Sequence, residues 1–381
     1  MPSDSKKFII DALMECGPTS RSELAENTGL SKAALTELSR DLIAAGLVHE
    51  LPEAVTARKG KGRPSVRLSV NAGYGLFLGV SVTDERQLMV LSDLRGDVHG
   101  EHVGPSVRTP EALVQAVVKG LGQLTRGRRA GSGRVLGIGL AISGFVDHRR
   151  GVCVHSANLD WHDVPIASLV TSASGLPTSL ENDANAVATG EKLFGLARES
   201  RNFTIITVAS SVGCAHYMNG RLYRGHHSGA GEIAHCTVEP DGLPCRCGKR
   251  GCLDTIASRA AMSEAARVAG LDVGGVHDLE TLAARGNGRA ASILRRAGQA
   301  LGFAIASIVQ INNPELVLIA DTEGFSQGLF LTTARHTVEN NILPRFLRGT
   351  SIQVHQVSSD FWARGAASIA AQEFITQYAS S

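Results

Sequence analysis

The sequence lacks both the long apolar segments of membrane proteins and the strong charge of general nucleic-acid binders. No run of eighteen apolar residues occurs among its 381 residues, so we expect no membrane-spanning helix. The first residues, MPSDSKK, lead directly into an amphipathic helix without an apolar signal-peptide region. The net charge is only +2, so any nucleic-acid binding must come from a local basic patch. These absences predict a cytoplasmic protein without membrane partners.

Cysteine is also scarce, and most of it lies in one loop. Four of the seven cysteines fall in the segment HCTVEPDGLPCRCGKRGC, which suits a reducing compartment better than a disulfide framework. Imidazole and thiolate groups in tetrahedral array are the ligands that Zn²⁺ prefers. Cys236 could replace its neighbour as the fourth ligand, and the alternative to a metal site is a flexible loop of unpaired or disulfide-linked cysteines. The expected ligands of a closed, structural zinc site are His235, Cys245, Cys247 and Cys252.

Length and composition predict a soluble protein of more than one domain. A hydrophobic content of 43% with 19% charged residues is ordinary for globular proteins, and 381 residues exceed one simple core. The hydrophobic pattern changes near residue 73, from a helical period to buried strands. The predicted domains are 1–72, 73–196 with a returning C-terminal helix at 363–381, and 197–362.

The first seventy residues read as three helices followed by a hairpin. Apolar residues recur at helical spacing up to Gly17, and Ser20 with Glu23 forms a capping box for a second helix. Ser31 can cap a third helix. A hairpin from Val48 to Val70 would then form the wing. This order is typical of a winged helix-turn-helix.

The predicted wing and third helix carry the features of a DNA-binding surface. Between Ala54 and Gly73 there are five cations and no acid, on a glycine-rich loop that can approach phosphates. The polar face of the third helix would meet major-groove edges. The alternative is a small helical domain with a solvated basic loop. The predicted DNA-binding residues are Lys32, Thr36 and Arg40 on the helix, and Lys61 and Arg63 in the wing.

Beyond residue 73 the pattern is that of an α/β protein. Nearly continuous apolar runs from Leu76 to Val82 and from Val135 to Ile142 predict buried strands. The order of strands and helices repeats after residue 200, and this second part includes a late strand from Leu316 to Ile319. A long helix from Ala290 to Gln310 could serve packing or a dimer interface. We expect two α/β lobes with ligands collecting between them, at the carboxyl ends of strands.

Four segments carry a family resemblance. They read SANLDW at 156–161, ENDANA at 181–186, GEIAH at 231–235 and CRCGKRGC at 245–252. In this order they resemble signatures of the ROK family (repressors, open reading frames and sugar kinases). The resemblance implies an α/β architecture with an actin-like, sugar-kinase (ribonuclease H-like) fold of two lobes. A winged helix ahead of these lobes is similar to the family's sugar-responsive repressors.

The resemblance also implies a sugar site. Asp183 matches the family's catalytic aspartate, and Asp254 stands where the family has a glutamate. His235 would then serve both the metal and the sugar. The Asx residues of the ENDANA segment could instead simply cap a helix. The implied sugar contacts are Asn158, Asn182, Asp183, Glu232, His235 and Asp254.

The turns that hold nucleotide phosphates in the family's kinases are altered. Where the kinases read D-x-G-G-T this chain reads SVTDE at 81–85, and their G-T-G-x-G turn is ASSVG at 209–213. A third turn, usually a glycine pair, is Ala320-Asp321. Side chains and negative charge would meet the phosphates in place of glycine backbone. We therefore expect no kinase activity.

The combined prediction is a sugar-responsive transcriptional repressor. It would bind operator DNA as a homodimer or homotetramer and respond to a sugar or sugar derivative. An ATP-dependent sugar kinase is one alternative. A DNA-binding protein that ignores sugars, with lobes kept for oligomerisation, is the other.

Overall fold

The computed structural model describes residues 2–51, 66–83, 86–128, 133–321 and 327–380. The chain forms two compact units, Met1–Glu199 with Trp362–Ser381 (unit 1) and Ser200–Phe361 (unit 2). Within the described segments, no helix combines the length and apolar character needed to cross a bilayer.

Unit 1 begins with three helices and a small sheet. Both halves of the predicted capping box form, since the Ser20 hydroxyl accepts from the Glu23 N–H and the Glu23 carboxylate accepts from the Ser20 N–H. The Ser31 hydroxyl accepts from the Ala34 N–H at 3.2 Å and starts the third helix. The elements are α1 (Pro2–Cys16), β1 (Thr19–Ser20), α2 (Arg21–Thr28), α3 (Lys32–Ala44), β2 (Val48–Leu51) and β3 (Arg67–Val70).

Strands β2 and β3 pair antiparallel with Val48 opposite Val70, as a wing hairpin requires, and β1 pairs with the far side of β3. This part of the chain, residues 2–74, is called the winged helix below.

The rest of unit 1, called lobe 1, is an α/β layer. Its strands form a five-stranded sheet in the order β11-β7-β4-β5-β6, in which β4, β5 and β6 are an antiparallel meander and β7 and β11 are parallel to β4. A second sheet has the order β10-β9-β8. The elements are β4 (Leu76–Val82), β5 (Gln87–Asp93), β6 (Val98–Gly104), α4 (Pro110–Thr125), β7 (Val135–Ile142), β8 (Phe145–Asp147), β9 (Val152–Ser156), β10 (Trp161–Val164), α5 (Ile166–Ser174), β11 (Thr178–Asn182) and α6 (Asp183–Phe194).

Unit 2 repeats this strand arrangement. Its sheet has the order β14-β13-β12-β15-β16, with an antiparallel meander of β12, β13 and β14 and parallel strands β15 and β16. The two predicted α/β lobes are thereby confirmed. The elements are β12 (Phe203–Val208), β13 (Val212–Met218), β14 (Arg221–Tyr223), α7 (Asp254–Ala257), α8 (Arg259–Val268), α9 (Val276–Ala284), α10 (Gly288–Asn312), β15 (Leu316–Asp321), α11 (Leu329–Asn341) and β16 (Ser351–Gln356).

The chain then returns to unit 1 in α12 (Phe361–Ser380), an alanine-rich helix that packs on the sheet of lobe 1. Two strand glycines permit this close approach. A Cβ atom at Gly79 would lie 1.9 Å from the Ala363 carbonyl oxygen, and one at Gly139 would lie 1.8 Å from that of Ala366. No side chain fits at either position without moving the helix.

The winged helix shares a hydrophobic core with lobe 1. Leu13 of α1 and Leu35 of α3 belong to the same buried cluster as Phe77 of β4, Leu193 of α6 and Ala367 of α12. Each such fully buried Leu or Phe contributes roughly 1.5–3 kcal/mol to stability. The winged helix is therefore held against lobe 1 by packing as well as by the chain connection.

Candidate functional site

Four ligand atoms converge in the loop after β14. The Nδ1 atom of His235 lies 3.6 Å from Sγ of Cys245, and Sγ of Cys247 lies 3.6 Å from Sγ of Cys252. All four atoms lie within 4.8 Å of one another. With Zn–S bonds of about 2.3 Å, the ligand atoms of a tetrahedral site stand about 3.8 Å apart. The arrangement therefore fits a metal ion held by three sulfurs and one nitrogen.

Backbone contacts and glycines fold this loop around the four atoms. The Gly248 N–H donates to the Cys245 carbonyl at 2.9 Å, with Gly248 in the left-handed region at φ 88°. Gly251 has φ 66°, and a Cβ there would lie 1.4 Å from the Glu239 carbonyl oxygen. These two positions need glycine for the loop to close.

Cys236, the alternative fourth ligand, does not belong to the group of four within the described residues. Its side chain is exposed, and its carbonyl accepts from the Leu253 N–H at 2.9 Å. The structure thus brings His235, and not its neighbour, to the three other cysteines.

The protonation of these groups depends on their surroundings. Burial lowers the pKa of the His235 imidazole, which keeps the ring neutral and able to bind a metal. The backbone N–H of Lys249 lowers the pKa of the Cys247 thiol. Burial raises the pKa of Cys252 to about 12, so a metal ion must displace a proton from this thiol.

In unit 1, the predicted sugar residues Asn182 and Asp183 lie at the start of α6. The Asn182 side-chain oxygen accepts from the N–H groups of Ala184 and Asn185 at 2.9 and 3.3 Å, so this residue does cap the helix. Its amide nitrogen donates to the Gly144 carbonyl at 3.0 Å. The half-buried Asp183 carboxylate accepts from the Ala184 N–H at 2.8 Å.

The loop that carries Asn158 is fixed to the same region of lobe 1. The Ser156 hydroxyl donates to the Ser143 carbonyl at 2.7 Å, next to the Gly144 carbonyl that Asn182 contacts. The half-buried Asn158 follows two residues later, between β9 and β10. These polar residues therefore follow the carboxyl ends of β7, β9 and β11.

In unit 2, the predicted sugar residues flank the metal loop. The half-buried Glu232 directly precedes a short 3₁₀ turn, Ile233–His235, that carries the metal-facing imidazole. Asp254 begins α7, two residues after Cys252. The structure places Glu232, His235 and Asp254 in unit 2, and Asn158, Asn182 and Asp183 in unit 1.

Asp254 has partners that the sequence did not predict. One of its carboxylate oxygens accepts from the Ser211 hydroxyl at 2.7 Å and from the Val212 N–H at 2.8 Å. Arg246 donates to the Ser211 hydroxyl at 2.9 Å, and its guanidinium lies 3.7 Å from the Asp254 carboxylate. A carboxylate thus occupies the Val212 N–H of the 209–213 turn, which the family resemblance equates with a phosphate-binding turn.

The signal for these partners in the sequence was weak. Arg246 is a cation between two predicted metal ligands, and Ser211 lies in one of the altered turns. A third missed residue is Glu181, a buried carboxylate that accepts from the Asn182 N–H at 3.0 Å and the Asn185 amide at 3.1 Å.

The other two altered turns are described only in part. The Thr83 hydroxyl accepts from the Arg86 N–H at 3.2 Å and donates to its carbonyl at 2.8 Å, which closes the first turn on itself. Asp84 and Glu85 lie outside the described residues. Asp321 is fully buried at the end of β15.

The predicted DNA-binding residues of α3 share an exposed face. Lys32, Thr36 and Arg40 are exposed, whereas Leu35 and Leu42 on the opposite face are buried. The Thr36 hydroxyl donates to the Lys32 carbonyl at 2.7 Å. The wing residues Lys61 and Arg63 lie outside the described residues.

Comparison with known families matches nearly the whole chain. Residues 79–373 match the model of the ROK family, and residues 4–49 match a winged helix-turn-helix DNA-binding model. A xylose repressor from Bacillus spizizenii is 26% identical, over 97% of this chain and 96% of the repressor.

Two solved structures extend the comparison. A ROK family transcriptional regulator described as a homologue of the Escherichia coli Mlc protein has a TM-score of 0.83 at 24% identity, covering 98% of this chain and 96% of that one. A ROK family glucokinase from Streptomyces griseus, in complex with glucose and AMPPNP, has a TM-score of 0.63 at 26% identity. That match covers 78% of this chain and 99% of the glucokinase.

Proposed function

The chain belongs to the ROK family, and from this premise we propose that it is a sugar-responsive transcriptional repressor that binds operator DNA through its winged helix. The observation that carries the proposal is the extent of the likeness. A repressor aligns with this chain almost from end to end. A glucokinase also aligns over almost its whole length, but that match leaves about a fifth of this chain uncovered. A winged helix-turn-helix model matches at the N-terminus, where a repressor needs its DNA-binding domain.

The phosphate turns support a repressor over a kinase. Asp254 already accepts from the Val212 N–H, so a nucleotide phosphate at this turn would meet a carboxylate in place of a free N–H group. Phosphoryl transfer depends mainly on positioning the phosphates and stabilising their negative charge. The Asp254 carboxylate at this turn hinders both. Asp183 then serves as a hydrogen-bond partner of the sugar and not as a catalytic base.

The proposed effector is a sugar or sugar derivative. Beyond its contact with the Gly144 carbonyl, Asn182 keeps one amide N–H, and Asp183 presents a carboxylate at the same helix start. Neutral and anionic acceptors beside amide donors suit the hydroxyl groups of a sugar. The proposed contacts are Asn158, Asn182, Asp183, Glu232, His235 and Asp254.

We propose that the metal is a structural zinc ion. Three thiolates and one imidazole close a tetrahedral site and leave no position for a reacting water. Since Nδ1 of His235 faces the cysteines, its Nε2 is left for a sugar hydroxyl. The ion would thus hold the sugar-contacting ring in place.

Helix α6 offers a route from the sugar to the winged helix. Its N-terminal residues are proposed sugar contacts, and at its other end Lys192 lies 2.6 Å from the Glu15 carboxylate of α1. The Lys192 ammonium also donates to the Arg198 carbonyl at 2.6 Å, and the Arg198 guanidinium donates to the Met14 carbonyl. A shift at the start of this helix would therefore reach α1 directly.

The proposed repressor is a homodimer or homotetramer. DNA half-sites are spaced by helical turns, so a small change in the separation of two winged helices prevents both from docking. The sugar need only favour the poor DNA-binding state by a few kcal/mol to change operator occupancy.

DNA binding by the full chain tests the proposal. DNA would be selected from a random-sequence pool, and its affinity measured by fluorescence anisotropy with and without a panel of sugars. We expect Arg40→Ala on α3 to weaken binding about tenfold, because base and phosphate contacts are each worth about 1–3 kcal/mol. Arg348→Ala, at an exposed arginine of unit 2, is the matched control.

Equal affinities for the two variants would contradict the assignment of α3. An affinity for DNA that no sugar changes would favour the alternative of a DNA-binding protein that ignores sugars.

A further inference from the structure

A cavity lies within unit 1 where the winged helix meets lobe 1. Its volume is about 290 Å³, comparable with that of about ten water molecules. Much of its wall is apolar and comes from both sides of the junction. The apolar lining residues are Leu13, Met14, Pro18 and Val70 of the winged helix, and Leu94, Leu193 and Phe194 of lobe 1.

Two guanidinium groups and one carboxylate also line the cavity. Arg95 donates to the Ser69 hydroxyl and Arg198 to the Met14 carbonyl, so both arginines of lobe 1 reach across to the winged helix. Each guanidinium has five N–H donors, and these contacts use only one apiece. The carboxylate is that of Asp97, which leaves the lining with one excess positive charge.

The nearby acids outside the lining are engaged elsewhere. The Asp93 carboxylate accepts from the N–H groups of Arg95 and Asp97 at 2.8 and 3.2 Å and lies 2.7 Å from Nε2 of His99. The Glu15 carboxylate pairs with Lys192. Among the described residues, neither of these carboxylates forms an ion pair with Arg95 or Arg198.

Both guanidiniums keep N–H groups beyond these two contacts. One of these groups, Nε of Arg198, is buried and has no partner within the described part of the chain. Guanidinium donors without acceptors favour an anionic acceptor beside them. The cavity thus places two guanidiniums with unused N–H groups beside an apolar wall.

We propose that this cavity binds a small organic anion. Its phosphate or carboxylate group accepts hydrogen bonds from Arg198 and Arg95, and its apolar part packs against Leu193 and Phe194. Because the lining comes from both the winged helix and lobe 1, the ligand holds the two together.

This site is separate from the proposed sugar contacts. Within unit 1 those contacts include Asn182 and Asp183 at the start of α6, whereas Leu193 and Phe194 end the same helix. The twelve residues of α6 from Asp183 to Phe194 span roughly 16 Å. The anion site therefore stands whether or not the sugar contacts are correct.

Isothermal titration calorimetry of the full chain with phenyl phosphate tests the proposal, with phenol and inorganic phosphate as the two halves of the probe. We expect phenyl phosphate to bind more tightly than either half, since the cavity offers both a charged and an apolar contact. Hydrogen exchange should show protection at residues 13–18 and 193–198. A carboxylate probe, benzoate, tests whether the site distinguishes the two anionic groups.

Two variants and a control assign the binding to the cavity. Arg198→Met should weaken phenyl phosphate binding about tenfold or more, because it removes a charge-assisted hydrogen bond. Leu193→Phe keeps both guanidiniums but fills part of the cavity, and it should weaken binding as well. Arg126→Met makes the same change at an exposed arginine at the end of α4 and should bind like the wild type.

Absence of phenyl phosphate binding at millimolar concentrations would overturn the proposal. So would protection confined to residues 31–44, which would place the anion on the DNA-binding face. Equal weakening by Arg126→Met and Arg198→Met would show general charge attraction and would also overturn it.

Discussion

The carboxylate of Asp254 accepts a hydrogen bond from the hydroxyl of Ser211 at 2.7 Å. The same oxygen accepts from the Val212 N–H, and Arg246 neutralises the group from the other side. This contact ties α7, which follows the metal loop, to a turn that binds phosphate in the family's kinases. A single carboxylate thus joins the proposed sugar-binding region to a turn that keeps only Gly213 of the three glycines in the family's pattern.

Asp254→Ala should free this turn. The Val212 N–H loses its acceptor, which costs about 1–3 kcal/mol, so its amide hydrogen should exchange faster by about tenfold or more. Hydrogen exchange read by NMR measures this amide directly. Asp272→Ala, at an exposed aspartate of the same unit, should leave its exchange unchanged. Unchanged exchange in Asp254→Ala would show that the contact does not hold the turn.

Gly79→Ala should destabilise unit 1. The new Cβ would lie 1.9 Å from the Ala363 carbonyl, so α12 must move off the sheet at a cost of about 1–3 kcal/mol or more. Urea unfolding followed by the fluorescence of Trp161 and Trp362, which both lie in this unit, reports the loss.

Gly122→Ala is the matched control for this variant. Gly122 lies inside α4, and a Cβ there meets nothing within 4 Å. Its replacement should stabilise the helix by roughly 0.5–1 kcal/mol. A Gly79→Ala protein as stable as the control would contradict the packing of α12 on β4.

Cys247→Ser should lower metal affinity, because a hydroxyl is a poor substitute for thiolate at a sulfur-rich site. Elemental analysis of the dialysed protein should find one ion per wild-type chain and less than one in the variant. Cys236→Ser should keep the ion, since that side chain lies outside the group of four. Loss of the ion from Cys236→Ser would show that Cys236 is a ligand and would contradict this set of four.

Acid should destabilise unit 2 through His216. Burial lowers the pKa of this imidazole to about 4, and its Nδ1 lies 2.9 Å from the Thr204 hydroxyl and 3.3 Å from the Asn312 amide. Between pH 6.5 and 4 the unfolded chain binds a proton that the folded chain does not. Stability from this group therefore falls with acidification through that window, by about 3 kcal/mol at most, and is unaffected above it.

Urea unfolding by circular dichroism at pH 7.5 and 5 measures this dependence. His216→Gln should reduce the loss of stability between the two pH values, and His336→Gln, at an exposed histidine, should not. An identical pH dependence in wild type and His216→Gln would contradict the assignment.

Local signals in the sequence predicted much of the fold. Ser20 with Glu23 specified a helix start from four consecutive residues, and the observed bounds of β4 and β7 are those of their apolar runs. The spacing of His235 and three cysteines in one loop predicted a cluster that the structure brings together. These features depend on residues that are close in sequence.

Contacts between distant segments could not be predicted in the same way. Ser211 and Asp254 are 43 residues apart, and nothing in either local sequence indicates the other. Helix α12 packs on Gly79 and Gly139, yet it begins nearly 300 residues after Gly79 in the chain. The cavity beside Arg198 arises only because the winged helix shares a core with lobe 1.

We propose that this chain senses a sugar without phosphorylating it. A thermal-shift screen of the purified protein against sugars, amino sugars and sugar phosphates, with and without Mg-ATP, tests it most directly. We predict that one sugar raises the melting temperature without nucleotide, because a ligand that binds only the folded state stabilises it. Stabilisation by ATP, with ATP consumed when that sugar is present, would contradict the claim and identify a sugar kinase.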